Sequence, residues 1–276
     1  MSSPLSLPSP CHDVDTALAH LLSAGVCVMT GVLSASQLER ARTAIYRAAQ
    51  EDATLGRQQH GFPLDTDDAN VRVWNLLNRD AVFCELAEHP LALQLVRALL
   101  GWPALLSNIS GNITGPGTGP GPGTGTGSSA AKGALHADQI FVPEPWPPAP
   151  QGVNVGWCLD DFTATNGATE VAVGSHHWHR PPGRADDSVE MAPLLAPAGS
   201  LFAFESRLWH RAGANTSRAD RRAGVFAFYS RPIYRTQENW FLSLTPDVLE
   251  NASETLLSLL AYKSAGFGLV YGRSPR

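Results

Sequence analysis

Cysteine is scarce and charge is thin in this chain of 276 residues. The four cysteines, Cys11, Cys27, Cys84 and Cys158, form no C-x-x-C pair. That argues against both a disulfide framework and a thiolate zinc site. Charged residues make up 16% of the chain, the net charge is −5, and no block of Lys or Arg is present. A nucleic-acid or membrane-surface footprint is therefore not expected. No apolar run approaches the roughly 20 residues needed to cross a bilayer. The opening MSSPLSLPSPCHDVD carries neither the basic start nor the apolar stretch of a secretory signal. Nucleophile-elbow (G-x-S-x-G) and phosphate-loop (G-x-x-x-x-G-K-S/T) patterns are missing as well. These absences lead to the expectation of a cytoplasmic protein that acts on a small molecule, with neither nucleic acid nor membrane as partner. They leave its oligomeric state open.

Apolar material is ample, at 43% of residues, and the length suits one large domain over 1–276. The first part, about 1–103, reads as mainly helical. Asp13 or Asp15 can cap a helix carrying Ala17, Leu18, Leu21 and Leu22, and Val26–Met29 reads as a short strand. Ser34 opens a helix with Leu38, Ala41, Ile45 and Ala48 on one face. Another runs from Pro90 to Leu100 and stops at Gly101. From about 104 to 235 the texture changes to short turn-bounded strands, over 105–113, 153–159, 200–205 and 224–230. Strands without alternating helices point to a sandwich or barrel. The remainder, 236–276, is expected to hold one helix over 246–260 and a tail. The tract TGPGTGPGPGTGTGSSAAKG, residues 114–133, has almost no side chain able to pack; it reads as a flexible loop flanking a site and a candidate lid.

The chemistry-bearing residues begin just after that tract. In His136-Ala137-Asp138, an extended backbone puts the imidazole and the carboxylate on one side. His210, after the apolar strand SLFAFESRLW, is a candidate third ligand. Two imidazoles and one carboxylate form a facial triad that leaves positions open for a co-substrate and O2. A co-substrate with a distal carboxylate needs a buried cation, and Arg221 and Arg222 both stand at the start of RAGVFAFY. They face opposite sides of a strand, so one of them points inward. Counting from His210 selects Arg221; counting back from Tyr229 selects Arg222. Asn108 and Asn112 alternate on their strand and read as polar groups facing the interior, with Gln139, Phe141 and Trp146 as further pocket candidates. His176, His177 and His179 diverge along an extended segment, which argues against a second metal.

HAD, then VNVGWCLDDFTATNGATEVAVGSHHW, then GSLFAFESRLWHRAGANTSRADRRAG resembles the phytanoyl-CoA dioxygenase family over most of the chain. The resemblance implies an α+β protein whose mainly β core is a double-stranded β-helix (jelly roll, cupin-like), with N-terminal helices packed on one sheet. It implies iron(II), 2-oxoglutarate as co-substrate and O2. His136, Asp138 and His210 would be both metal ligands and catalytic centre, with Arg221 as the 2-oxoglutarate anchor and Trp157 near the co-substrate. Arg211-Ala212 departs from the Gly-Ser common in the family. The expected reaction is hydroxylation, desaturation or cyclisation of an apolar small molecule by a biosynthetic tailoring enzyme, with succinate and CO2 as co-products. A non-catalytic jelly-roll binding protein and an acyl-CoA 2-hydroxylase are the alternatives.

Overall fold

The computed structural model describes residues 6–57, 70–115, 133–217, 219–263 and 266–275. Helix α1 (Val14–Ala24) starts where the Asp13 side chain accepts from the Thr16 amide, and stops at Gly25, whose φ of 81° suits glycine. Strand β1 (Val26–Met29) follows directly. Helix α2 (Ala35–Thr54) is opened by a reciprocal capping box between Ser34 and Gln37 and buries Ala41, Ala44, Ile45 and Ala48. Helix α4 (Pro90–Leu100) has proline in its first turn and ends at Gly101. Within this N-terminal part, strand β2 (Asn70–Val73) and helix α3 (Ala81–Ala87) were not anticipated, the latter capped by Asp80. The helix expected over 246–260 is instead two, α6 (Pro246–Asn251) and α7 (Glu254–Leu259), after a short α5 (Trp240–Ser243). The break falls where Ser253 takes an extended conformation and caps α7 through the Leu256 amide.

The β elements are β3 (Leu105–Thr114), β4 (Gly152–Cys158), β5 (Glu170–Val171), β6 (Ala192–Pro193), β7 (Leu201–Glu205), β8 (His210–Arg211) and β9 (Arg222–Ser230). A six-stranded antiparallel sheet has the order β1-β7-β4-β9-β3-β2, and a three-stranded one the order β6-β5-β8. Period-two alternation gives the large sheet two apolar faces. Val153, Val155, Trp157, Val225, Ala227 and Tyr229 join the helices in the main core. Cys158, Phe202 and Phe204 point the other way, with Phe226 packed against them, into a second cluster that includes Val171 on the small sheet. Two facing sheets with helices on the outer face of the larger one make the expected double-stranded β-helix. Among the described residues, no helix is long and apolar enough to cross a membrane. The expected lid lies outside the described residues over 116–132.

The inner cluster is tight where β4 passes Phe202. A Cβ built on Gly156 would fall 2.0 Å from Phe202 Cζ. That ring is itself held by Phe162 and Phe226, at 5.7 and 5.8 Å between centroids, so it has little room to swing aside. Gly156→Ala is expected to destabilise the protein by about 1–3 kcal/mol, seen as a lower urea midpoint at unchanged slope. An unchanged midpoint would show that Phe202 yields freely.

Candidate metal centre and its cavity

His136 and His210 face each other across an isolated antiparallel bridge. The His136 amide donates to the His210 carbonyl at 3.0 Å, and the His210 amide donates back to the His136 carbonyl at 2.8 Å. This pairing sets the two imidazole centroids 4.2 Å apart. Ala137 takes extended dihedrals (φ −131°, ψ 143°) and is buried with Trp146, Ala172 and Trp209. Side-chain alternation therefore sends His136 and Asp138 to the opposite side, as the H-x-D spacing required. Asp138 Oδ1 lies 3.9 Å from His136 Nε2 and 3.6 Å from His210 Nε2. One ligand atom from each of the three residues falls within 4.8 Å of the others.

The tautomers suit a metal. His136 Nδ1 lies 2.8 Å from the Ala134 carbonyl, and His210 Nδ1 lies 3.0 Å from the Leu208 carbonyl. A carbonyl only accepts, so each Nδ1 carries the proton and each Nε2 presents a lone pair. Burial, then the neighbouring His210, push the His136 pKa down to about 4. At neutral pH its imidazole is thus in the neutral, ligating form. A site of two imidazoles and one carboxylate, with neither thiolate nor fourth protein ligand among the described residues, fits an iron(II) centre with open positions.

The same cavity is lined by Asn108, Ser110 and Asn112 of β3, by Asn154 of β4, by Phe226 and Phe228 of β9, and by Arg72, Thr169, Phe204, Arg222 and Gln237. Asn108 and Asn112 thus stand where the alternation of β3 placed them. The arginine register is corrected: Arg222 is 1% exposed and lines the cavity, whereas Arg221 is exposed. Tyr229, on the helical face with its hydroxyl on the Ala87 carbonyl, fixes the parity of β9. Arg222 Nη2 donates to Thr114 Oγ1 and to the Gly167 carbonyl, both at 2.6 Å, and the guanidinium lies 4.4 Å from the Phe162 ring centroid. Its Nε and Nη1 are buried without a hydrogen-bond partner.

Four further expectations are corrected. Trp157 points to the helical face, fully buried, with its ring 5.0 Å from His89; alternation puts Asn154 and Gly156 on the cavity side instead. Gln139 is buried as a clamp rather than as cavity lining. Its amide donates to the Ser206 carbonyl at 2.8 Å, and its Oε1 accepts from Ser206 Oγ and from the Gln151 amide. Trp146 sits in the small cluster behind Ala137, its indole on the Val142 carbonyl. Phe141 is 42% exposed and stacks edge-on with cavity-lining Phe228, so it borders the cavity without lining it. Asn166 and Gly167 act as the turn they resemble: Asn166 bonds Thr163 and Asp161, and Gly167 has φ +83°. His176 and His177 stack on each other at 3.8 Å, apart from the triad.

A family model described as phytanoyl-CoA dioxygenase matches residues 21–223. Dioxygenase af480 of Aspergillus fumigatus is 35% identical over 257 residues, 92% of this chain and 79% of the relative. Among solved structures, the epimerase SnoN, in a complex with Fe3+, alpha ketoglutarate and nogalamycin RO, superposes with TM-score 0.60 at 18% identity, over 88% of this chain and 93% of that one. The carbocyclase SnoK from nogalamycin biosynthesis gives 0.61 at 18% identity, over 87% and 95%. The chain belongs to the phytanoyl-CoA dioxygenase family and is an iron(II)- and 2-oxoglutarate-dependent dioxygenase.

Burial pushes the Arg222 pKa down to about 10. The unfolded chain holds that proton more tightly, so at every pH below about 10 the buried charge opposes folding. A shift of this size is worth on the order of 3 kcal/mol. Ligand-free Arg222→Met, which keeps length and removes charge, is therefore expected to unfold within about 1 kcal/mol of the wild type or above it, after allowing for two lost hydrogen bonds. A clearly lower urea midpoint would show that the guanidinium is structural rather than held ready for an anion.

Proposed function

We propose that His136, Asp138 and His210 hold the iron, and that Arg222 grips the distal carboxylate of 2-oxoglutarate. The observation that carries this reading is a buried guanidinium with two unpartnered nitrogens opening on the same cavity as the three ligand atoms. A carboxylate can take both donors at once, in the fork geometry that arginine favours. Thr114 Oγ1 and the Gly167 carbonyl occupy the remaining nitrogen and hold the guanidinium plane in place. When bound, iron(II), 2-oxoglutarate and O2 supply an oxidant for an unactivated C–H bond, with succinate and CO2 as co-products.

The protein's own part is positioning. The backbone bridge fixes the histidines, Asp138 presents one oxygen to both, and Arg222 orients the co-substrate from the opposite end. Phe204, Phe226 and Phe228 supply an apolar wall, and half-exposed Phe141 and Trp178 add aromatic surface outside the cavity lining. This suits a small molecule with an apolar frame, oxidised by hydroxylation, desaturation or ring closure according to which hydrogen is placed at the metal. Relatives named for steps of antibiotic biosynthesis support a tailoring role.

Asp138→Ala is expected to abolish succinate formation from 2-oxoglutarate while leaving the circular dichroism spectrum unchanged, because an anionic ligand is lost. Arg222→Ala should raise the 2-oxoglutarate KM steeply, by roughly 2–5 kcal/mol of lost binding. Arg221→Ala should leave it within about twofold of wild type, since an exposed charge contributes little. Normal turnover in Asp138→Ala, or a KM effect confined to Arg221→Ala, would overturn the assignment.

A further inference from the structure

We infer that Asn154 is a positioning residue for the metal centre, one that selects which oxygen of Asp138 faces the iron. The inference rests on the assignment of Asp138 as a ligand. Asn154 Nδ2 donates to Asp138 Oδ2 at 3.1 Å, while Asp138 Oδ1 is the oxygen directed at both histidines. A carboxylate turns easily about its last torsion, which has a broad, two-fold profile. Without a donor on Oδ2, the two oxygens exchange and the group can swing towards a two-oxygen grip that takes up a position needed by co-substrate or O2. The amide holds the carboxylate to one face.

The orientation of the Asn154 amide is itself determined. Its oxygen cannot face Asp138, because two acceptors would oppose each other, so Nδ2 takes that place. Oδ1 is consequently left buried without a partner, on a residue that lines the cavity. A buried acceptor left dry is costly, so the site offers it to a hydrogen-bond donor on the bound molecule. The backbone keeps Asn154 in place independently of this. It is paired with Phe204 of β7 on one side and Phe228 of β9 on the other, in the middle of the large sheet. Asn154 is otherwise hard to account for: it carries a polar side chain on the apolar face of β4, where its neighbours two residues away are Gly152 and Gly156.

Asn154→Val and Asn154→Leu remove the donor with residues that suit a central strand. The measurement is calorimetric titration of Mn(II) into the metal-free full chain, with thermal unfolding of the same metal-free samples. Wild type should bind one Mn(II) and Asp138→Ala none. Both Asn154 variants should bind it roughly ten- to a hundredfold more weakly, the usual effect of losing a group that orients a ligand. An affinity within about threefold of wild type in whichever variant folds, whatever its melting point, overturns the inference and leaves the ligand assignment standing. Failure of the wild type to bind, or retention of binding by Asp138→Ala, would instead remove the assignment on which the inference rests.

Discussion

The centre depends on one short piece of backbone pairing. His136 and His210 lie 74 residues apart in sequence, yet each donates its amide to the other's carbonyl. That exchange brings the segment after β3 against β8 and makes the metal site a feature of the sheet rather than of mobile side chains. Its supports are polar and buried. Gln139 and Ser206 tie the two turns to each other, and Arg207 pairs with Glu205 behind them at 2.7 Å while donating to the Pro147 carbonyl. A buried polar network of this kind favours one arrangement, since breaking any of these bonds leaves a further buried group unpaired.

Electrostatics completes the site by leaving something undone. Arg222 is buried deeply enough to lower its pKa, and among the described residues no carboxylate is ion-paired with it. Asp160, a carboxylate whose charge acts on Arg222, accepts from the Ala223 amide and from Tyr46 and pairs with Arg42. It anchors the beginning of β9 instead of neutralising the cation. Stability is given up locally, and an anionic ligand recovers it. The same logic holds for His136, whose imidazole burial keeps neutral, and the Nδ1 atoms of both histidines are committed to carbonyls. In the proposed assignment, donors and charge are arranged for a metal and a diacid before either arrives.

Much of this was legible in the sequence, for local reasons. Asp13, Ser34 and Pro90 mark helix starts through caps that need no tertiary partner, and H-x-D puts an imidazole and a carboxylate on one side by alternation alone. Five of the six strands of the large sheet were visible because apolar residues line both its faces. What escaped reading depended on distant partners. NVRV at β2 is too short and too polar to show a period, so Arg72 and Trp74 in the cavity wall had no signal. The choice between Arg221 and Arg222 turned on parity, and Tyr229 held the answer once its face was known. Trp157 was placed by resemblance, whereas alternation from Gly156 would have turned it to the helices. Gln139 gave no hint of its clamp, because its partners, Ser206 and Gln151, come from other turns. The tract over 116–132 lies outside the described residues.

The central claim is that one iron sits between three named atoms with 2-oxoglutarate reaching from it to Arg222. Anomalous diffraction at the iron edge, from crystals grown anaerobically with iron(II) and 2-oxoglutarate, tests it most directly. The account predicts one strong peak within coordination distance of His136 Nε2, His210 Nε2 and a single oxygen of Asp138, with the far carboxylate of 2-oxoglutarate on the Nε and Nη1 of Arg222. A peak elsewhere, or 2-oxoglutarate lying away from Arg222, would contradict it.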